Sequence, residues 1–262
     1  TLYKQDLKWM LRGARARSTK QKAHIQRFEA LRDREKLIEE RQAVISSMAS
    51  RLGRTTVELD SISKSYGDRV LFHDFTYIFL KTDRIGIIGP NGCGKSTLMK
   101  IIMGIEQPDS GSVCLDGTDL LALDDRGRSK IRNSNFGFIF QHTQLIGSVT
   151  VFDNVLIPAL IAGKRGMEDE ARKLLDDLGL SHRIGYYPHQ LSIGQKRRVT
   201  LARALLLEPD IIFADEPTND LDAENVELVG DRLFSLADQG RALVVVTHDS
   251  ELAKRADRII SI

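Results

Sequence analysis

The stretch "RIGIIGPNGCGKSTLMKII" (84–102) constrains the fold more than any other part of the chain. It reads as an apolar strand, a glycine-rich turn and a helix, in that order. The pattern G-x-x-x-x-G-K-[ST] is matched here by Gly89, Gly94, Lys95 and Ser96. In such a turn the glycines let successive backbone N–H groups point at phosphate oxygens, the lysine adds positive charge, and the serine hydroxyl can bind Mg²⁺. The segment therefore predicts a binding site for a nucleoside triphosphate.

The whole turn and the first residues of the helix are the predicted phosphate contacts. They are Gly89, Asn91, Gly92, Cys93, Gly94, Lys95, Ser96 and Thr97. A phosphate-binding loop alone does not separate kinases, GTPases and ATPases, so the reaction has to be read from the second half of the chain.

Two later strands end in side chains suited to phosphate hydrolysis. In "PDIIFADEPTNDLD" (209–222) an apolar run ends at Asp215, which suits Mg²⁺ directly or through water. Glu216 follows and is placed to orient or deprotonate a water molecule aimed at the γ-phosphate. "LVVVTHD" (243–249) brings His248 to the same edge, where we expect it to sense the γ-phosphate. Together these residues predict an ATP hydrolase.

Short apolar runs rich in β-branched and aromatic residues alternate with helical segments from Val57 onward. This alternation predicts an α/β fold with a largely parallel sheet. The predicted strands are "VELDSI", "FTYIFL", "RIGIIG", "FGFIF", "IIFAD", "LVVVTH" and "RIISI".

The composition argues against a membrane-spanning or disulfide-stapled protein. Of the 262 residues, 42% are apolar and 28% are charged, as in ordinary globular domains. The longest apolar stretch, residues 149–163, is interrupted by Asp153, Asn154 and Pro158. The N-terminus lacks the pattern of a signal peptide, and two cysteines are too few for a disulfide framework. We therefore expect a reducing, cytoplasmic location.

Residues 1–54 differ from the rest of the chain in charge. They contain 14 Lys and Arg against 6 Asp and Glu, whereas the remaining 208 residues have 24 against 30. Two helices, 3–12 and 18–49, are predicted here, followed by a linker at 51–56. We interpret residues 1–54 as a basic helical arm with its own partner and residues 55–262 as the globular domain; the alternative is a plain solvated helix surface. We also expect the chain to be a piece of a longer protein.

Taken together, the motifs resemble those of the ATP-binding cassette (ABC) ATPases. The resemblance runs from about Val57 to Ile262 and rests on "GPNGCGKST", "FGFIFQ", "LSIGQKRR", "IIFADE", "TNDLD" and His248, in that order. It implies an ABC-type core with a parallel-rich sheet, a β subdomain and a helical subdomain at about 142–190. By this resemblance Tyr66 stacks on adenine, and Gln141 touches Mg²⁺ and the attacking water. Asp222 belongs to a loop that crosses a dimer interface.

The resemblance gives "LSIGQKRR" (191–198) a role in a head-to-tail dimer of two cassettes. Ser192, Gly194 and Gln195 would contact the ATP that is held by the partner cassette, whether the dimer contains identical or different chains. A helix start is a natural anion site, and Lys196 and Arg197 are expected to add positive potential there. The family usually has glycine at the position of Ile193, and a β-branched side chain restricts the backbone conformations available there. We therefore expect Ile193 to affect dimer closure or turnover but not ATP binding.

Two branches of the family are resembled by different parts of the chain. From about Asp109 onward the sequence is similar to transporter cassettes of the lipoprotein-release and macrolide-export type, which power a membrane permease at the inner face of the cell membrane. The arm and the first 105 or so residues resemble ABC-F proteins, which act on the ribosome and tRNA. Basic residues that suit phosphate contacts in that second reading are Arg12, Arg15, Arg17, Lys20 and Lys22. We favour the transporter cassette and keep the ABC-F factor as the alternative, ahead of a DNA-repair cassette or an inert interaction module.

Overall fold

The computed structural model describes residues 56–219, 221 and 223–262. These residues make up nearly all of the predicted globular domain at 55–262. The predicted basic arm at 1–54, most of the predicted linker and Asp222 lie outside the described residues.

A five-stranded parallel sheet forms the centre of the fold. Its spatial order is β6–β7–β8–β3–β9, and every neighbouring pair runs parallel. The strands are β3 (Arg84–Ile88), β6 (Phe136–Ile139), β7 (Ile211–Asp215), β8 (Ala242–Val246) and β9 (Arg258–Ser261). β7 and β8 are buried along their whole length, which explains why both read as continuous apolar runs. Five of the predicted strands are confirmed in this sheet.

A second, antiparallel sheet has the order β2–β1–β4–β5. Its strands are β1 (Thr56–Tyr66), β2 (Arg69–Leu80), β4 (Ser110–Leu115) and β5 (Thr118–Asp119). The predicted strands "VELDSI" and "FTYIFL" are confirmed as strands, but they belong to this sheet and not to the parallel one. Val57 and Leu59 are buried while Asp60 is exposed, the alternation of a strand with one covered face. β4 and β5 were not predicted.

The helices connect the parallel strands and cover both faces of their sheet. They are α1 (Lys95–Ile102), α2 (Asp125–Asn135), α3 (Val151–Ala162), α4 (Glu168–Asp177), α5 (Ile193–Leu205), α6 (Ala223–Asp238) and α7 (Ser250–Lys254). Ser192 is the N-cap of α5, because its side chain accepts a hydrogen bond from the backbone N–H of Gln195. The combination of a parallel-rich sheet, an antiparallel sheet and a helical region agrees with the predicted fold class.

Two hydrophobic clusters meet at the parallel sheet. On one face, Ile211 and Phe213 of β7 pack into a cluster shared with α1 and the antiparallel sheet. On the other face, Ile212 and Ala214 pack into a cluster shared with α3, α4, α5 and α6. Since successive side chains of a strand point to opposite faces, one apolar run serves both clusters.

The strand order brings four loops to the same edge of the sheet. β6, β7, β8 and β3 are consecutive neighbours, and parallel strands end on the same side. The loop after β3 is the predicted phosphate-binding turn, and Gln141, Glu216 and His248 follow the ends of β6, β7 and β8. The fold therefore gathers residues that are far apart in the sequence.

Asn154 of α3 fixes the segment that follows Gln141. This side chain is fully buried, and its Nδ2 donates to the carbonyl oxygens of Ile146, Val149 and Thr150 at 3.0, 3.3 and 2.9 Å. Its Oδ1 accepts from the backbone N–H of Ile146 at 2.8 Å. One side-chain amide, whose two N–H donors are shared among three carbonyl oxygens, thus ties together a segment without regular structure.

Asn154→Ala should destabilise the domain, because it removes all four of these hydrogen bonds, and only the carbonyl oxygens of Thr150 and Ile146 keep a backbone donor. We expect a loss of about 2–3 kcal/mol in the free energy of unfolding, measured by thermal or urea unfolding. The matched control is Asn133→Ala, which removes one partly buried hydrogen bond to the Pro158 carbonyl and should cost clearly less. Equal losses in the two variants would contradict this account of Asn154.

Candidate functional site

An open cavity of about 610 Å³ lies at the edge where the four loops meet. Its lining residues are Tyr66, Arg69, Leu71, Asn91, Gly92, Gly94, Lys95, Ser96, Thr97, Gln141, Glu216, Asn219 and His248. All but three of these were predicted as site residues. Of the other predicted residues of the turn, Gly89 and Cys93 belong to the same loop without lining the cavity, and Asp215 lies beside Ser96.

The glycines of the turn are required by its backbone. Gly94, which precedes α1, has a φ of 112°, and a Cβ there would lie 3.0 Å from the Cβ of Leu71. Gly89 has a φ of 155°, and a Cβ would approach the carbonyl oxygen of Ile262 to 2.5 Å. A side chain at position 89 would therefore clash with the backbone of Ile262, and one at position 94 would crowd Leu71 and adopt a strained φ.

Lys95 is 6% exposed and holds the turn together. Its Nζ donates to the carbonyl oxygens of Gly89 and Pro90 at 2.7 and 3.1 Å. The ammonium group is thus already oriented inside the loop, where a phosphate oxygen would meet a positive charge with little solvent around it.

Ser96 and Asp215 form the part of the site that suits a divalent cation. Ser96 Oγ donates to Asp215 Oδ1 at 3.1 Å, and the carboxylate is 6% exposed. Burial raises the pKa of Asp215, while the hydrogen bond from Ser96 and the charge of Lys95 act in the opposite direction. A hydroxyl next to a buried carboxylate, beside a phosphate-binding turn, supplies oxygen ligands of the kind that would hold Mg²⁺.

Glu216 and His248 contact each other across the ends of β7 and β8. His248 Nδ1 lies 2.8 Å from Glu216 Oε2, and the His248 backbone N–H also points to this oxygen at 3.4 Å. The Glu216 side chain is 12% exposed, whereas that of His248 is 60% exposed. Glu216 has a φ of 47°, a left-handed conformation that is strained for a residue with a side chain. Its backbone N–H donates to the carbonyl of Val246 at 2.8 Å, which holds the residue in this conformation.

Three cavity residues were not predicted as site residues: Arg69, Leu71 and Asn219. Arg69 pairs with Tyr66 across the β1–β2 turn, and its Nη2 donates to the Gly92 carbonyl at 2.7 Å. Its position three residues after Tyr66 is the only sequence signal that could have suggested it. Asn219 lies within "TNDLD", a motif that the sequence did point to.

The start of α5 does not line the cavity. Ser192 and Gln195 form a reciprocal capping pair, with Gln195 Oε1 accepting from the Ser192 backbone N–H at 3.0 Å. Gly194 packs against Asn225, whose side-chain oxygen would lie 2.7 Å from a Cβ at this position. Ile193 is 53% exposed. The predicted contacts of this segment with ATP are therefore not contacts with the cavity of the same chain.

One expectation about this segment was wrong. Arg197 does not add positive potential at the exposed helix start, because its side chain is almost fully buried. Its guanidinium donates to the carbonyl oxygens of Phe140 at 2.6 Å, of Gln141, and of Asn219 at 3.5 Å. A position five residues after the N-cap turns it inward, so that α5 is fastened to the loops of Gln141 and Asn219.

The structure also bears on the expected absence of a membrane span. Among the described residues, no helix has both the length and the apolar character needed to cross a bilayer.

The role predicted for Asp222 concerns a position outside the described residues.

Comparison with known proteins places the chain in a family. The profile of the ABC transporter family matches residues 72–219, more than half of the sequence. The lipoprotein-releasing system ATP-binding protein LolD of Bacteroides thetaiotaomicron is 40% identical over 207 residues, covering 78% of this chain and 95% of that protein. The comparisons do not support the ABC-F alternative.

Two solved structures agree with this result. The dimeric structure of MJ0796, a bacterial ABC transporter cassette, superposes with a TM-score of 0.73 at 34% identity, covering 79% of this chain and 94% of that one. A dimeric post-hydrolysis state of the same cassette, bound to ADP and Pi, gives a TM-score of 0.71 at the same identity and coverage. The chain belongs to the ABC transporter family, and it is an ATP-hydrolysing cassette of that family.

Proposed function

We propose that this cassette hydrolyses Mg-ATP in a composite site between two cassettes and thereby powers a membrane permease that releases lipoproteins. The observation that carries the proposal is the meeting of Lys95, Glu216 and His248 in one cavity at the carboxyl edge of the parallel sheet. This places a buried cation, a carboxylate and an imidazole around the position that a γ-phosphate would take.

Each group has a distinct part in the proposed reaction. The backbone of the turn and Lys95 bind the β- and γ-phosphates, and Glu216 orients or deprotonates the attacking water. His248 holds the Glu216 carboxylate from one side and contacts the γ-phosphate from the other. Mg²⁺, held by Ser96, Asp215 and Gln141, would neutralise charge on the phosphate oxygens. Tyr66, at the mouth of the cavity and 52% exposed, offers its ring to the adenine.

The second half of the proposed site comes from the start of α5 in another cassette. Ser192 caps a 13-residue helix whose first backbone N–H groups face an anion most favourably. Because this segment lies away from the cavity of its own chain, it can bind phosphate only across an interface. The dimeric MJ0796 cassette with ADP and Pi supports this arrangement.

The proposed partner is a permease subunit of the lipoprotein-release type at the cytoplasmic face of the membrane. Support comes from the likeness to LolD, whose name describes the ATP-binding protein of a lipoprotein-releasing system. Within 142–190, the proposed helical subdomain, Ile146, Leu160 and Ile161 expose large apolar side chains. Large apolar side chains exposed in this part of the domain fit a contact with another protein.

No observation favours the ABC-F reading as a second function. The resemblance that suggested it covered the arm and about the first 105 residues, and the basic cluster within 1–54 lies outside the described residues. The arm and its boundary at residue 54 stay predictions, as does any contact of the arm with ribosomes or tRNA.

Glu216→Gln should trap an ATP-bound dimer. Loss of the carboxylate removes the group that activates water, so we expect hydrolysis to fall by about 100-fold or more while ATP still binds. The measurements are phosphate release and light scattering with ATP. Lys95→Ala is the matched variant, because it should abolish ATP binding and leave the protein monomeric. A Glu216→Gln protein with normal phosphate release would refute the role of Glu216.

Ile193→Gly should raise the turnover number several-fold and leave the affinity of the monomer for ATP unchanged. The exposed side chain of Ile193 stands beside Ser192, at the surface that would meet the partner's nucleotide. Phosphate release at saturating ATP measures the effect, with Ile193→Val as the control that keeps the β-branch. Unchanged turnover in the glycine variant would mean that Ile193 does not limit closure.

The transport function predicts a membrane partner and a lipoprotein-dependent effect. The cassette should co-purify with a permease encoded nearby, and the reconstituted complex should release lipoproteins from proteoliposomes only with hydrolysable ATP. Glu216→Gln should assemble with the permease but release none. Co-sedimentation with ribosomes in place of a permease would overturn this assignment.

A further inference from the structure

The loop after α1 is attached to the end of β1, beside the cavity. Tyr66, the last residue of β1, donates a hydrogen bond from its hydroxyl to Glu106 Oε1. Glu106 in turn is fixed at the end of α1, because its backbone N–H donates to the carbonyl of Lys100 at 3.2 Å. Its side chain is only 24% exposed, although the surroundings are at the surface. The aromatic ring is thus connected to the helix that carries the phosphate-binding turn.

Lys64 reinforces this connection from the other side. Its Nζ lies over the Tyr66 ring, 5.3 Å from the centroid, and 3.6 Å from Glu106 Oε1. The same ammonium donates to the Gln107 carbonyl at 2.8 Å and contacts Asp109 at 3.4 Å. With Lys64 over one face of the ring, the opposite face is the one left for a stacking partner.

Asp109 completes the attachment. Its Oδ2 accepts from both the backbone N–H and the hydroxyl of Ser65 at 2.7 Å, and these bonds lower the pKa of Asp109. The hydrogen bond to Glu106 raises the pKa of Tyr66. Residues 106–109 and 64–66 are therefore joined by charge-assisted hydrogen bonds at several points.

We propose that Glu106 is a positioning residue for the nucleotide base: it sets the place and tilt of the Tyr66 ring against which the base stacks. The inference rests on the proposed role of Tyr66 in ATP binding and extends it. Tyr66 by itself is half-exposed at the end of a hairpin, where a tyrosine side chain could take more than one rotamer. The bond to Glu106 selects one of them before the nucleotide arrives.

The attachment also fixes the distance between the Tyr66 ring and the phosphate-binding turn. The phosphate-binding turn leads into α1, and α1 ends in the loop that holds the Tyr66 hydroxyl. The ring and the turn are thus held at one spacing, which selects ligands that have both a phosphate chain and a base. Glu106 should matter for ATP and not for a bare polyphosphate.

The test compares ATP with tripolyphosphate, which has the three phosphates but no base. In Glu106→Ala we expect the KM for ATP to rise roughly three- to tenfold, because part of the base stacking is lost. The kcat should not change. The inhibition constant of tripolyphosphate against ATP hydrolysis should not change. Glu106→Gln keeps an acceptor oxygen and should restore most of the affinity for ATP. Glu168→Ala, at an exposed position at the start of α4, is the matched control and should behave like the wild type.

A double-mutant cycle with Tyr66→Phe separates positioning from a general loss of structure. Tyr66→Phe removes the hydroxyl and keeps the ring, so adding Glu106→Ala to it should have little further effect on the KM. Additive effects, or equal weakening of ATP and tripolyphosphate, would overturn the proposal. A wild-type protein without ATP hydrolysis would instead count against the proposed function, so the two failures can be told apart.

Discussion

The parallel pairing of β7, β8 and β3 is the constraint on which the rest of the site depends. It sets Asp215, His248 and the glycine-rich turn side by side, because neighbouring parallel strands end at one edge. The strands β7 and β8 are buried on both faces, so a shift in register would misplace apolar side chains and unpair backbone groups at once. The hydrophobic core thus sets the relative positions of the site residues, and hydrogen bonds of Lys95 and Glu216 then fix them locally.

The buried guanidinium of Arg197 is the second organising contact. A charged group with almost no exposure is stable only when it is well hydrogen-bonded, and here backbone carbonyls of two loops supply the acceptors. The Gln141 loop, the Asn219 loop and α5 consequently share one anchor. Arg203, further along α5, repeats the arrangement with the carbonyls of Thr143 and Gln144, and burial lowers its pKa.

Much of this could be predicted from the sequence, and the parts that could not have a common cause. Strands β3, β7 and β8 and the turn at 89–96 have local signals: apolar runs, glycines and a lysine at fixed spacing. Arg69 and Arg197 have no such signal, since their roles follow from long-range contacts with backbone carbonyls that any residue provides. An arginine in a basic run looks solvent-exposed until the fold reveals which side of the helix it occupies. The antiparallel sheet could not be predicted for a similar reason. Its strand β5 has only two residues, and whether two strands run parallel or antiparallel depends on how they pair in the fold.

The left-handed backbone of Glu216 favours glycine, whereas the proposed reaction requires a carboxylate at the same position. A glycine would accept the left-handed conformation without strain, but it would delete the carboxylate and its contacts with His248. Relieving this torsion with glycine would remove the strain and the water-activating group together, so the conformation persists because the position needs a side chain.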